Sequence, residues 1–192
     1  MLELTGHHTC ENQGNGKLME KEGFPKAISV FNAKADIEKD RNAFLGTGYY
    51  FWDYNIAQAR YWGRKQYGHY YIFQSAISYD ESMLDLVGNR IHIEYFLNLM
   101  KDLSDLNPTS SKWKIGQFIE FMKELAEEDD DYKEMFPYKS IRAIDNQATI
   151  SEYEFDFDGS GRSYINLNPR IMICVISLDK TVIKNFTLIE TI

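Results

Sequence analysis

Hydrophobic and polar positions in the first half of the chain predict short strands separated by two helices. Aromatic and β-branched residues dominate the strand segments, and the first helix runs to a glycine. Asp53 or Asn55 is expected to cap the second helix, and Gly63 to end it. Residues 25–45 are polar and irregular, which predicts a surface loop. The predicted strands are 1–9, 48–53, 69–79 and 82–88, and the predicted helices are 16–24 and 56–63.

Helical periodicity dominates the middle of the chain. Apolar side chains recur at helical spacing in 90–103 and 111–128, with Pro108 between them, which predicts an antiparallel helical pair. Its apolar stripes are expected to be core rather than a binding groove. Strand patterns return at 138–144, 151–158, 169–178 and 182–190. Strands, a helical insertion at about 90–135 and further strands predict a single α+β domain over residues 1–192.

The composition is that of a globular protein able to bury a core. Of 192 residues, 44% are hydrophobic and 26% charged. A net charge of −8 argues against broad binding to a phosphate backbone, although a local basic patch is left open. Much of the acidity lies in residues 127–134, which are expected to be a solvated helix end or loop.

Two cysteines cannot make a disulfide framework, and no signal-peptide pattern or membrane-length apolar run occurs. A cytoplasmic location is therefore expected, with delivery as a secreted effector left open. No metal site is expected either, because His7 and His8 are strand neighbours whose side chains point to opposite faces. Residues 154–165 resemble a calcium loop, but Ile165 stands where a bidentate Glu is required, so a tight turn is the simpler interpretation. Cys174 lies in an apolar strand and is expected to be inert.

The segment FLGTGYYFWD, residues 44–53, allows two interpretations. Its two glycines permit either a sharp turn or a close approach of the backbone to a ligand. Alternation places Tyr50 and Trp52 on one face of the strand and the other two aromatic side chains on the opposite face. One pair can fill the core while the other meets something flat. Periodicity by itself favours a core strand that follows a turn.

Five motifs follow one another in a distinctive order. They are HHT, a short helix ending in EGF, LGTGYYFWD, the helix NIAQARYWG and a strand followed by LDL. This order resembles the poly(ADP-ribose) polymerase branch of the ADP-ribosyltransferase superfamily. The resemblance is continuous over residues 4–86 and resumes weakly over 168–190, whereas the helical insertion has no counterpart. It implies a split mixed or antiparallel sheet with flanking helices, and NAD⁺ bound between the halves.

The resemblance implies that NAD⁺ is the substrate and assigns its contacts. His7 matches the histidine that hydrogen-bonds the adenosine ribose. Tyr50 and Tyr61 match two aromatics that stack on nicotinamide, which suits a flat cation. His8 replaces a glycine whose backbone pairs with the nicotinamide amide, and Gln58 replaces a small hydroxyl residue near that amide. The expected NAD⁺-binding residues are His7, His8, Thr9, Gly48, Tyr50, Gln58 and Tyr61.

The family's glutamate on a late strand is missing from this chain. Met172 takes its position, and no acid occurs within RIMICVIS. Since cleavage of the glycosidic bond creates an oxocarbenium-like centre, positioning and electrostatics matter more than a strong nucleophile. Glu152, Glu154 and Asp156 are alternative sources of a carboxylate. The catalytic positions implied by the resemblance are His7, Tyr50 and Met172.

The expected function is that of a bacterial-type ADP-ribosyltransferase that transfers one ADP-ribose from NAD⁺ to a macromolecule. A protein is the first choice of acceptor and a nucleic acid is left open; a toxin or effector role follows only from fold-level analogy. The alternative is a weak or inactive sensor or interaction module that binds NAD⁺ or ADP-ribose. An RNA 2′-phosphotransferase is disfavoured because it needs several basic residues around the pocket, which the N-terminal segment does not provide. The insertion is expected to contact a substrate or an antitoxin-like or regulatory partner, and no membrane partner is expected.

Overall fold

A computed structural model describes residues 2–34, 43–145, 154–156, 164–166 and 168–192. The strands are β1 Leu2–Glu11, β2 Tyr49–Asp53, β3 Tyr70–Tyr79, β4 Met83–Asp85, β5 Ser140–Ile144, β6 Glu154–Asp156, β7 Tyr164–Asn166, β8 Ile171–Val175 and β9 Ile183–Thr191. The α-helices are α1 Gly16–Glu22, α2 Ile56–Gln66, α3 Arg90–Leu106, α4 Ile115–Glu128 and α5 Asp130–Met135, with a 3₁₀ helix at Pro108–Lys112. The predicted α+β class is confirmed.

Seven strands form one mixed sheet in the order β4-β5-β8-β2-β1-β3-β9. All neighbours are antiparallel except β4 and β5. The pairing within the sheet is uneven. β1 pairs with β3 over the whole length from Leu2 to Glu11, but with β2 only at Gly6–Asp53 and His7–Trp52. The two sides of the sheet are therefore joined at its centre by a very short ladder.

Each face of the sheet packs against different helices. The face called the α1 face carries Phe51 of β2 and Phe73 of β3, which cluster with Met19 of α1. The opposite face, called the insertion face, carries Cys174 of β8 in a cluster with side chains from α3 and α4. Trp52 and Ile72 lie on that same side beneath Ala59 of α2. The predicted alternation in the aromatic strand is confirmed, because Tyr50 and Trp52 both lie on the insertion face.

The observed ends of α2 differ from the prediction at the C-terminus and distinguish between the two predicted caps at the N-terminus. Gly63 does not end the helix, which continues to Gln66. A Cβ on Gly63 would lie only 2.4 Å from the ring of Tyr70, so this glycine allows the helix to approach β3 closely. Asn55, rather than Asp53, is the N-cap, and its side chain accepts a hydrogen bond from the Gln58 N–H at 3.1 Å.

The insertion is helical, as predicted, and its apolar stripes are core. Phe96 of α3 meets Phe118 of α4 edge to face at 5.3 Å between ring centroids. Both rings pack in the cluster that includes Leu84 and Ile141 of the sheet. The acidic residues 127–134 span the end of α4 and most of α5, and they are exposed. Within the described part of the chain, no helix has the length and apolarity needed to cross a membrane.

Candidate functional site

The centre of the sheet contains a split between β1 and β2. The two strands pair at Gly6 and His7, and the Tyr54 N–H adds a bond to the Thr5 carbonyl at 2.7 Å. Beyond His7, β1 stays paired with β3, and β2 stays paired with β8. The edges of β1 and β2 therefore separate where the motif HHT begins. We call this place the split.

Two candidate positions, His7 and Met172, form a row with Trp52 beside the split. His7 is the register partner of Trp52, and Trp52 is the register partner of Met172. Since register partners share a face, the three side chains project to the insertion face. The structure thus brings His7 to Trp52, whereas Tyr50 lies two residues further along β2.

His7 is buried, with an exposed fraction of 6%. Its Nδ1 is buried and has no hydrogen-bond partner among the described residues. Burial lowers the pKa of His7, although hydrogen bonding with the Gln74 side chain, the carboxylate of Glu190 and the backbone of Trp52 oppose this shift. A neutral imidazole has one N–H donor and one acceptor nitrogen. Within the described part of the chain, the Nδ1 of His7 therefore has hydrogen-bonding capacity that is not used.

His8 reaches across the split from the α1 face. Its Nδ1 lies 2.9 Å from the Tyr50 carbonyl oxygen, and its ring packs on Phe51 at 5.3 Å. Burial lowers the pKa of His8 to about 4, so the imidazole is neutral near pH 7. Thr9, the next residue, donates its hydroxyl hydrogen to the Ala59 carbonyl at 3.0 Å. The side chains of the HHT motif therefore have three different environments.

Tyr50 is held by the turn that precedes it. Its hydroxyl donates to the Gly46 carbonyl at 2.7 Å and accepts from the Leu45 N–H at 2.9 Å. Burial raises the pKa of Tyr50 far above its ordinary value. Its ring lies beside Phe44 and packs with the insertion. The phenol is therefore neutral and has hydrogen-bond partners within the protein.

The two aromatics expected to sandwich nicotinamide lie in different environments. Tyr50 is in the core, whereas Tyr61 on α2 is 48% exposed. The neighbouring Trp62 turns toward the sheet and meets Trp52 edge to face at 6.4 Å between centroids. Arg170 lies over the Trp52 ring, 5.4 Å from its centroid. The structure thus assembles aromatic contacts around Trp52 rather than between Tyr50 and Tyr61.

The glycines before Tyr50 allow close approach to other parts of the protein. A Cβ on Gly48 would lie 2.5 Å from the Cys174 sulfur and 2.7 Å from the Val175 carbonyl oxygen. Gly46 has a φ of 82°, in the left-handed region that favours glycine. Close packing against β8 and α4 explains why glycine occupies both positions, and no ligand is needed to explain it.

Two charged side chains on α4, in the helical insertion, bind the backbone of the turn between Gly46 and Gly48. Glu120 accepts a hydrogen bond from the Thr47 N–H at 2.8 Å, and Lys123 donates to the Thr47 carbonyl at 3.2 Å. The two side chains also pair with each other at 2.7 Å. Both are largely buried, so we infer that α4 helps to fix the turn from which Tyr50 projects.

A hollow of about 250 Å³ lies at the end of β1. Cys10 and Glu11 line it directly after the HHT motif, and the buried Oδ1 of Asn15 has no hydrogen-bond partner in the described chain. Its remaining lining residues are Gln13, Met19, Lys26, Ala27 and Tyr67. Pockets for drug-sized ligands start at about 300 Å³, so this hollow is too small for a whole dinucleotide.

The described residues do not locate the carboxylates proposed for catalysis. Glu152 lies outside the described residues, as does the turn of the calcium-loop pattern, and only the backbone of Glu154 and Asp156 is described. Glu190 of β9 is close enough to His7 to affect its pKa, and it forms an ion pair with Arg60. No group of three or more His, Cys, Asp and Glu side chains suited to a metal occurs in the parts of the chain described.

Sequence patterns indicated only part of this environment. Alternation placed Trp52 on the face of Tyr50, so it could have been included among the site residues. Arg170 had no comparable signal, because its position over Trp52 depends on how β8 is approached from the preceding segment. Asn168 likewise comes close only in three dimensions, where its side chain accepts a hydrogen bond from Asn55 at 2.7 Å.

A buried ion-pair network holds the end of β2. Arg142 of β5 donates to Asp53 at 2.7 Å and to Asp85 at 3.1 Å. Asp85 also accepts from the Tyr79 hydroxyl at 2.8 Å. Burial by itself would raise the pKa of Asp85. Hydrogen bonds from Tyr79, Arg142 and neighbouring backbone N–H groups outweigh it, so the pKa lies below its ordinary value.

Acid is expected to remove the stabilisation that Asp85 provides. Its pKa is lower in the folded chain than the value of about 3.9 in an unfolded one, so its charge stabilises the fold above that pH. The contribution is lost as the pH falls through the folded value. Urea midpoints measured from pH 7 to pH 3 should therefore show a gap between wild type and Asp85→Asn that narrows below about pH 4. A gap that is constant with pH would contradict this prediction.

Comparisons with models of protein families, with curated proteins and with solved structures found no match to this chain.

Proposed function

We propose that this chain is an NAD⁺-dependent ADP-ribosyltransferase of the poly(ADP-ribose) polymerase-like type, with its NAD⁺ site at the split. The observation that carries the proposal is the Nδ1 of His7, which is buried where β1 and β2 separate and has no hydrogen-bond partner among the described residues. A buried polar atom without a partner is costly, and such atoms in native proteins call for an explanation. A ribose hydroxyl of the substrate would satisfy it.

The sheet order supports the same proposal. The resemblance rests on motifs in β1, β2 and β8, which are separated by up to about 165 residues. These three strands are direct neighbours at the centre of the sheet, and His7, Trp52 and Met172 lie in one row. A sheet divided into two halves is what the resemblance implies, and the short β1–β2 ladder is consistent with it.

The residues present suit binding of NAD⁺ in two places. The hollow after Thr9 would take one end of the dinucleotide, and His7 would hold a ribose hydroxyl in the split. In the reaction, the bond between ribose C1 and the nicotinamide nitrogen breaks and its electron pair leaves with nicotinamide. A nucleophile of the acceptor forms the new bond to C1 and loses its proton. Met172 cannot activate a second ribose hydroxyl, so we propose transfer of a single unit, with a protein as the first acceptor to test.

A second candidate is a binding module of the same fold for NAD⁺ or ADP-ribose. It is favoured by Met172, an apolar side chain at the position expected for the catalytic acid. The hydroxyl of Tyr50 is also fully engaged with the Gly46 turn. Such a module would bind the ligand without cleaving it. Incubation with labelled NAD⁺ and a cell lysate separates the two candidates, because only the enzyme transfers label and releases nicotinamide.

The variant His7→Phe is expected to weaken NAD⁺ binding by about tenfold or more. Phenylalanine keeps a ring in the buried position but cannot hydrogen-bond the ribose, and a hydroxyl left unpaired costs about 1–3 kcal/mol. Calorimetric titration measures the affinity, and urea denaturation should show nearly unchanged stability. Thr5→Val is the matched control, because it changes the same face of β1 away from the split.

Equal NAD⁺ affinity in wild type and His7→Phe would overturn the proposed site. A large loss of stability in His7→Phe would instead identify His7 as a structural residue. Saturable binding of NAD⁺ by the wild type without any transferred label would support the binding module. Absence of saturable binding in the wild type would overturn both candidates.

A further inference from the structure

We propose that His8 determines which ligands the split admits, and that it favours ADP-ribose without a base over NAD⁺. This inference rests on the proposed function, since it concerns the same site. The side chain of His8 crosses the split and bonds the Tyr50 carbonyl on the opposite strand. A nicotinamide ring that enters between the strands must displace the imidazole, whereas a ligand that lacks this ring leaves it in place.

The hydrogen bond occupies the position of a missing ladder contact. β1 and β2 pair at His7 and Trp52, and the next residue on β1 is His8. Its Nδ1 lies 2.9 Å from the Tyr50 oxygen, where continued pairing would have placed a backbone donor. A carbonyl oxygen only accepts, so Nδ1 carries the hydrogen and Nε2 is the acceptor nitrogen. That Nε2 is buried and has no partner among the residues described.

Packing fixes the imidazole in this position. His8 is only 3% exposed, and its ring lies 5.3 Å from Phe51 and 6.3 Å from Phe186. The imidazole packs on the α1 face and reaches into the split from there, so a second flat ring cannot occupy the same opening. His7 projects to the insertion face, and the lining of the hollow does not include His8, so the ligand groups bound there would not contact the imidazole. They are therefore expected to bind equally well whether or not His8 moves.

Displacement of His8 is expected to weaken the binding of NAD⁺ but not the binding of ADP-ribose. A typical internal hydrogen bond accounts for a factor of about two to ten in an equilibrium constant, and the loss of aromatic packing adds to it. We therefore expect the ratio of the NAD⁺ and ADP-ribose dissociation constants to fall by about tenfold in His8→Gly. The affinity for ADP-ribose itself should change little.

Calorimetric titration of both ligands against wild type, His8→Gly and His8→Phe tests this selectivity. His8→Phe keeps a ring in the opening without the hydrogen bond, so it should retain most of the discrimination against NAD⁺. A merely structural role would change both affinities together and leave their ratio unaltered. An unchanged ratio in His8→Gly, with both ligands binding saturably, would overturn the inference and leave the proposed function standing. Failure of wild type and variants to bind either ligand would overturn both.

A second measurement on the wild type does not depend on how well the variants fold. In ¹⁵N-histidine spectra, the Nδ1–H of His8 should be protected from exchange with water by its bond to Tyr50. Saturating NAD⁺ should remove this protection, whereas saturating ADP-ribose should preserve it. Protection that persists at saturating NAD⁺ would show that the imidazole stays in place and would overturn the inference.

Discussion

Replacement of Arg142 by methionine is expected to lower the free energy of unfolding by about 3–5 kcal/mol. Arg142 pairs with Asp53 and Asp85, whose side chains are only 7% and 2% exposed. Methionine keeps much of the side-chain volume but removes the only charge that either carboxylate pairs with in the described network. Two buried carboxylates would then face each other without a cation, which costs far more than the lost attraction alone.

Urea denaturation at pH 7 measures this effect. Lys101→Met is the matched control, since it also removes a cation from an ion pair, but its pair with Asp105 is largely exposed. The midpoint of that control should equal the wild-type midpoint, because exposed pairs contribute little. A loss below about 1 kcal/mol in Arg142→Met would show that water reaches the two carboxylates and that the network is not buried in solution.

Gly48→Ala is expected to destabilise the fold by about 3 kcal/mol, at the upper end of the range for an overpacked core. The added Cβ would meet the Cys174 sulfur at 2.5 Å and the Val175 carbonyl oxygen at 2.7 Å. Val175 belongs to β8 at the centre of the sheet, so its backbone cannot move without disturbing two ladders. The strand that carries Tyr50 and Trp52 would be pushed away from β8, and the row of site residues would be lost with it.

Gly14→Ala is the matched control for this substitution. Its φ of 76° makes a side chain unfavourable, but an added Cβ there would meet no atom within 4 Å. We therefore expect a loss of only about 1 kcal/mol from backbone strain. Comparison of the two urea midpoints separates strain from collision. Equal losses in the two variants would show that β2 is not packed against β8 as closely as the structure indicates.

These two positions limit how the proposed site can be engineered. Arg142 and Gly48 hold opposite ends of β2, and the residues between them include Tyr50 and Trp52. Variants that alter β2 directly would combine effects on folding with effects on ligand binding. His7 and His8 are better probes, because the proposed experiments read out affinity and selectivity as well as stability.

Several elements followed from the local sequence alone. The 3.6-residue spacing of apolar side chains identified α3 and α4, and the alternation in residues 49–53 assigned Tyr50 and Trp52 to one face. These features depend on neighbours within about four residues, which is why periodicity reports them. The order of the motifs likewise led to β1, β2 and β8, which are adjacent in the sheet.

The tertiary structure decided what these local patterns left open. The sequence predicted that Gly63 ends α2, but this glycine lies within the helix, where it packs against Tyr70. The partners of His7, His8 and Tyr50 also depended on register. A shift of one residue would have turned each side chain to the other face of the sheet. The sequence by itself determined the type of most elements and, in β2, the faces of the side chains. Only the packing of distant strands decided that Trp52 lies beside His7 and that His8 crosses the split, because long-range pairing leaves no periodic signal along the chain.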